Sequence, residues 1–311
     1  MALTLVEAAK TALNNGKEHE AEIILNYAMT SPILERLQFR DIQGNALSYN
    51  REETMPGIGF RGINGSFTES TGVVNPVTET LAIAGGDLDV DNFLIQTMGD
   101  STRSDQETMK VRSLSLSWTN TFINGDTASD PKEFDGLKTR LTGTQLVSAG
   151  TTSGGDPLSL NKLDELADAV VGNNKVLLMN KAIRRRLSTA ARSTNIGGFI
   201  QHERDEFGRM VSMYGDMPIL ILDEDNEKNQ ILPFTEAGEG GGTTSSSIYC
   251  VNMGPMMLQG IQNGQIQVRD LGELNSKPSV RTRVEWYAGI AIFDGRSAAR
   301  LYGVSNAAVT A

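Results

Sequence analysis

The residues best suited to acid–base, nucleophilic or metal chemistry are two histidines, one cysteine and a few carboxylate strings. His19-Glu20 opens like HExxH, but Ile23 stands where the second histidine ligand must be. There is no CxxC, no GxSxG elbow and no GxxxxGK[ST] phosphate loop. Gly57, Gly59 and Gly62 spell GxGxxG, yet Met55-Pro56 precedes them and Ile63-Asn64-Gly65 follows. Pyrophosphate binding needs a strand before the glycines and a helix N-terminus after them, so the match reads as a glycine-rich hairpin. Asp87, Asp89 and Asp91 begin like a calcium loop, but Asn92 replaces the turning glycine and Met98 the closing glutamate. Asp89 or Asp91 is more simply the acidic N-cap of a following helix. Asp223-Glu224-Asp225-Asn226-Glu227 follows an apolar strand and reads as a solvated turn. A Ser-His-Asp site around His202 has no local support. No catalytic residue, metal ligand or cofactor is assigned.

The elements that would have to position a site say more. Residues 91–124 contain no proline and one interior glycine, Gly99, and place Val111, Leu114, Trp118 and Phe122 on one helical face. Asn124-Gly125-Asp126 then gives a stop signal. Such a helix measures about 51 Å, as long as a compact chain of this size is wide, since its radius of gyration is about 20 Å. Val280, Thr282, Val284, Trp286, Ala288, Ile290 and Ile292 alternate with Arg281, Arg283, Glu285, Tyr287, Gly289, Ala291 and Phe293, which predicts a strand of about 43 Å. Both lengths predict a flat subunit that finds much of its burial against neighbours.

Bulk composition narrows the classes. With 39% hydrophobic residues and 32 glycines, the 311-residue chain is folded, as one large domain or two. No apolar run approaches the length of a membrane span, and the first 20 residues carry early acids and no leader-like cleavage pattern. The lone Cys250 excludes an internal disulfide and fits folding in a reducing cytosol. A net charge of −10 argues against dedicated nucleic-acid binding, and Arg184-Arg185-Arg186 reads as a solvated helix face.

Along the chain, residues 1–43 look helical and arm-like, with Ile23, Ile24 and Tyr27 on one face and Ser31-Pro32 restarting a short helix. Residues 44–86 change to short extended pieces divided by glycine and proline, a long β-hairpin or paired loop. After Gly136 the texture is α/β. Leu160, Leu163, Leu166 and Val170 mark a helix, Val176–Met179 a buried strand, and Asn180 caps the next helix through Ile183 and Leu187. Gly215-Asp216-Met217-Pro218 separates two strands, and residues 236–247 read as a flexible loop.

This order and the strings SYNREETMPGIGFR, GGDLDVDNF, FINGD, FDGLKTRL, VLLMN, GDMPI and RVEWYAGIAIFDGRSAARLYG resemble the major capsid proteins of tailed bacteriophages, the Hong Kong 97-type fold. The resemblance implies an α+β capsid fold over essentially the whole chain. Its parts would be an N-terminal arm (1–43), an extended loop lying over an adjacent subunit (44–90), and a peripheral domain with its spine helix (91–135). An axial domain (136–255) around five- and six-fold axes and a return to the peripheral domain (256–311) would complete it. The implied function is self-assembly, as homo-pentamers and homo-hexamers, into an icosahedral shell around double-stranded DNA. The protein would belong to the virion and assemble in the host bacterial cytoplasm, with a portal protein as partner. The arm is short, so the resemblance implies a separate scaffolding protein or none. There is no lysine between Lys17 and Lys110, so a lysine–asparagine crosslink from the loop is ruled out, and a decoration protein or noncovalent contacts must strengthen the shell. Candidate contacts between copies are Arg51, Glu52, Arg61, Trp118, Arg209, Asp216 and Trp286. Packaged DNA would meet the wall only by non-specific contact, and no membrane is involved. Two other readings stand beside this one: an encapsulin-like compartment enclosing an enzyme cargo, and a soluble enzyme using a carboxylate or His202.

Overall fold

The computed structural model describes residues 3–310 except 16–17, 100, 193–199 and 205–209. One sheet runs in the order β1 (Leu3–Thr4), β2 (Gln38–Asp41), β13 (Leu258–Gln262), β15 (Ser279–Ile292) and β14 (Gln267–Glu273), with β5 (Ala82–Asp91) also on β15. A second runs β6 (Leu146–Ser148), β16 (Ala298–Val304), β12 (Gly241–Asn252), β7 (Lys175–Met179), β10 (Met217–Ile221), β9 (Met210–Tyr214) and β8 (Ile200–Arg204), with β11 (Glu236–Gly238) on β12. β3 (Ala46–Thr54) and β4 (Val73–Thr80) form a separate antiparallel pair.

The long late strand is as the alternation predicts, and pairing on both edges explains its length. β5 follows it from Ser279 to Ala288, while β14 and then β13 share the opposite edge. Thr282, Val284, Trp286 and Ala288 face the core. From Ala288 onward both faces are covered. The GDMPI turn joins β9 to β10 with Gly215 at φ 58°, a conformation that glycine adopts freely. Asn180 caps helix α8 (Lys181–Ala191) by accepting from the Ile183 amide at 2.8 Å.

The helix expected over 91–124 is two helices. α4 (Asn92–Met98) is capped by Asp91, which accepts from the Phe93 amide, and α5 (Ser101–Asn124) follows a break at Gly99, φ 93°. α4 buries none of its residues, so no packing offsets the cost of about 1 kcal/mol for glycine inside a helix. α5 ends at Gly125, where a side chain would collide with the Phe134 carbonyl.

Three further expectations are corrected. The first 43 residues are not an arm: α1 (Leu5–Asn14), α2 (Glu18–Thr30) and α3 (Pro32–Arg36) put Leu5, Ile24, Tyr27, Ile33 and Leu34 into the main core against α5. Ser115 and Thr119, polar positions inside the α5 seam, make this possible by bonding the Tyr27 carbonyl and the Ser31 hydroxyl. The hairpin ends at Thr80, and residues 82–91 belong to the first sheet through β15. Residues 236–247 are no flexible loop but the β11–β12 hairpin with Ser245, Ser246 and Ser247 fully buried. Their hydroxyls are satisfied by the Glu236 carbonyl, the Leu232 carbonyl and the Glu236 carboxylate.

The two faces of the second sheet serve different cores. Leu177 and Met179 pack with α7 (Leu160–Asp168) and α8, whereas Val176 and Leu178 join the main core with Phe134 and with Leu137 of α6 (Leu137–Arg140). The chain exposes 16658 Å². A compact 33.6 kDa monomer exposes about 12,700 Å², so a large share of surface is left without a home.

Candidate subunit interface

Much of that surface is the hairpin. β3 and β4 pair in register from Ala46↔Thr80 to Glu52↔Val74, and the chain between Thr54 and Val73 forms no regular structure. Pro56 and seven glycines or serines in 55–72 leave no pattern a sheet or helix could use. The loop nonetheless carries five large apolar side chains. Met55, Ile58, Phe60, Ile63 and Phe67 are 75%, 94%, 106%, 97% and 64% exposed. Full burial of one such side chain gains about 1.5–3 kcal/mol, and apolar groups gathered on one exposed loop mark an interaction site more than singly scattered ones do. The loop holds its own shape. The Arg61 guanidinium lies 5.2 Å from the Phe67 ring centroid and donates to the Gly65 carbonyl, and Ser70 donates to the Gly57 carbonyl at 2.9 Å.

The root of the hairpin packs Leu47, Tyr49 and Leu81 on Ile42, Ile261 and Phe293 and adds a polar contact beside them. Arg140 donates to both Glu79 oxygens, at 2.5 and 2.7 Å, and the Tyr49 hydroxyl donates to the Ile292 carbonyl at 2.8 Å. Burial, then the nearby Glu79 charge, push the Tyr49 phenol up to about 12. Where the chain leaves the hairpin, Arg281 and Arg283 of β15 clasp Asp89 and Asp87 of β5 with paired bonds of 2.6–2.9 Å. Bonds from Arg281 and from Lys277 hold the Asp89 carboxyl well below the usual range. These aspartates are therefore clasps between strands, and among the described residues no group of three His, Cys, Asp or Glu converges on a point.

Of the expected contacts, Arg51, Glu52 and Arg61 lie on this hairpin, Arg51 half-buried and the other two exposed. Asp216 is exposed at the β9–β10 turn, in the other sheet. Arg209 and the side chain of His202 lie outside the described residues. Trp118 and Trp286 are corrected: at 3% and 1% exposure they lie in the chain's own core and cannot face a neighbour. Their ring centroids are 5.8 Å apart, and Tyr27 and Phe39 close around Trp286 at 5.1 and 5.2 Å. Sequence reasoning missed the loop side chains Ile58, Phe60 and Ile63 because they sit singly among glycines and extend into no sustained helical or strand pattern. Their signal was apolar residues placed among glycines where nothing local could cover them.

Comparison with known proteins places this geometry. A family model, major capsid protein GP7, matches residues 15–161. No curated protein sequence matches the chain. Among solved structures, the holo-SrpI encapsulin complex from Synechococcus elongatus PCC 7942 is similar at 15% identity and TM-score 0.64, covering 90% of this chain and 89% of that chain. The capsid of a native GTA particle, determined with C5 symmetry, is similar at 14% identity and TM-score 0.62, covering 89% and 91%. Microbacterium phage Oxtober96 follows at 12% identity and TM-score 0.62, covering 88% and 91%. At these identities the likeness is one of fold, and it spans nearly all of each chain. The chain thus has the Hong Kong 97-type fold that these structures share, and its residues 15–161 are similar to the major capsid protein GP7 family model.

Proposed function

We propose that the chain is a major capsid protein whose activity is self-assembly, through pentamers and hexamers, into an icosahedral shell enclosing phage double-stranded DNA. The observation that carries this reading is the exposed apolar loop of Met55, Ile58, Phe60, Ile63 and Phe67, which the chain's own body leaves uncovered. A second copy of the same chain supplies the cover, and heterologous contacts of this kind close into shells when symmetry closes them. In this reading 44–80 is the loop lying over a neighbour, 91–135 and 256–311 form the peripheral domain, and 136–255 the axial domain. The role is structural rather than enzymatic. The net charge of −10 keeps packaged DNA from adhering to the wall. A portal protein, and a separate scaffolding or decoration protein, are the partners a phage shell calls for. The virion is its location, after assembly in the host cytoplasm.

The similarity to the SrpI encapsulin supports a second use of the same fold, a compartment enclosing an enzyme cargo. Electron microscopy of the purified protein tests the shell, and the contents of the particles separate the two uses. Closed shells holding nuclease-protected DNA support the capsid, and shells holding a second protein support the compartment. A monodisperse monomer at high concentration, with and without scaffold, contradicts both.

A further inference from the structure

Of the described residues in the two hairpin strands, Glu79 alone is buried. A buried carboxylate is costly unless fully partnered, and here the partner is a guanidinium fork with two parallel bonds. That geometry fixes direction as well as distance. Arg140 is itself held, its Nε donating to the Asp135 carbonyl at 2.6 Å. The rest of its short helix is fastened to other parts of the fold. Leu137 is fully buried in the main core, Lys138 lies 3.2 Å from Glu236 in the second sheet, and the Thr139 hydroxyl donates to the Gly125 carbonyl at the end of α5. On the other hairpin strand the Tyr49 ring packs on Phe293 at 4.6 Å.

We propose that Glu79–Arg140 is a latch that sets the angle at which the hairpin leaves the body, and so positions residues 55–72 for a neighbouring copy. Nine residues of β3 carry the loop about 30 Å from Ala46. A swing of about 10° at the root therefore displaces the tip by about 5 Å, more than the reach of a side-chain contact. The apolar contacts of Leu47, Tyr49 and Leu81 on Ile42, Ile261 and Phe293 hold the strands without fixing direction, and the fork adds the direction. Through Lys138 and Glu236 the same helical turn ties the hairpin angle to the second sheet, so the two parts adjust together.

The latch is a property of one chain; only its consequence for shells rests on the capsid reading. Spin labels at Ser66→Cys in the loop and Ser104→Cys on α5 report the angle in the unassembled protein, because native Cys250 is fully buried. The parent gives one narrow distance distribution. Glu79→Gln and Arg140→Lys, the latter keeping the charge and losing the fork, broaden it several-fold with unchanged circular dichroism. If Glu79→Gln fails to fold, Arg140→Lys gives the same readout. Assembled, the latch variants yield shells of mixed diameter. Unchanged distributions in the folded variants, or a parent already as broad, overturn the latch even where the parent forms uniform shells. A parent that broadens as described on mutation but never forms shells removes the capsid reading and leaves the latch standing.

Discussion

Glu236 and Arg300 face each other at 2.9 Å with side chains only 6% and 13% exposed, and Lys138 reaches the same carboxylate from α6. Burial pushes the Glu236 carboxyl up, but Arg300, the Ser247 hydroxyl and Lys138 together outweigh it and hold it below the ordinary glutamate value. A depressed carboxyl contributes stability above its unfolded value of about 4.3, and loses it as pH falls through the folded value. Urea unfolding of the parent is therefore expected to weaken below about pH 4, and Glu236→Gln to flatten that part of the profile. At neutral pH the substitution leaves Arg300 buried and uncompensated, at a cost of about 3–5 kcal/mol. An unchanged midpoint at pH 7 contradicts this.

Trp286→Ala opens a hole among Tyr27, Phe39 and Trp118 and is expected to cost about 3–5 kcal/mol in urea unfolding. Trp118→Ala costs a similar amount. Because the two indoles touch, the double variant departs from the sum of the singles.

Gly85 of β5 lies where a Cβ would come within 2.3 Å of the Val284 carbonyl, whereas a Cβ at Gly59 meets nothing within 4 Å. Gly85→Ala should lower stability by about 1–3 kcal/mol, and Gly59→Ala should stay within about 0.5 kcal/mol. Thermal melts of the two variants side by side read the difference. Equal melts remove the argument.

Ile58→Ser, Phe60→Ser and Ile63→Ser together remove most of the loop's apolar surface without touching a core. Monomer stability is expected to change by no more than about 0.5 kcal/mol per site. Sedimentation velocity should show loss of the assembled species. Normal assembly of the triple variant contradicts the role given to the loop.

Where periodicity was long and closed by local signals, the sequence could be read directly. The Asn180 cap, the helix restart at Pro32 and the Gly215 turn depend on neighbours in the chain and stand where expected, although the Ser31 side chain makes no cap bond, and the alternation of β15 marks a strand whose length its sheet partners complete. Features set by distant partners were not legible. EAGEGGGTTSSS has the composition of a linker, but three of its serines are buried where β12 enters the second sheet beside the distant β16. The helical run through Gly99 looked continuous because periodicity cannot reveal that α4 packs against too little to remain in line. The enclosure of the two tryptophans is invisible locally, because nothing near them in the sequence shows that α1–α3 fold over α5. Of the proposed contacts, the charged Arg51, Glu52 and Arg61 are visible in the sequence as residues of a loop. The apolar members are not, since exposure is a property of the fold.

A reconstruction of the assembled particle at side-chain resolution tests the central claim most directly. It is predicted to show Ile58, Phe60 and Ile63 of each copy seated against a neighbouring copy, with Trp118 and Trp286 still enclosed in their own chain. Loop tips standing free in solvent within a closed shell would contradict it.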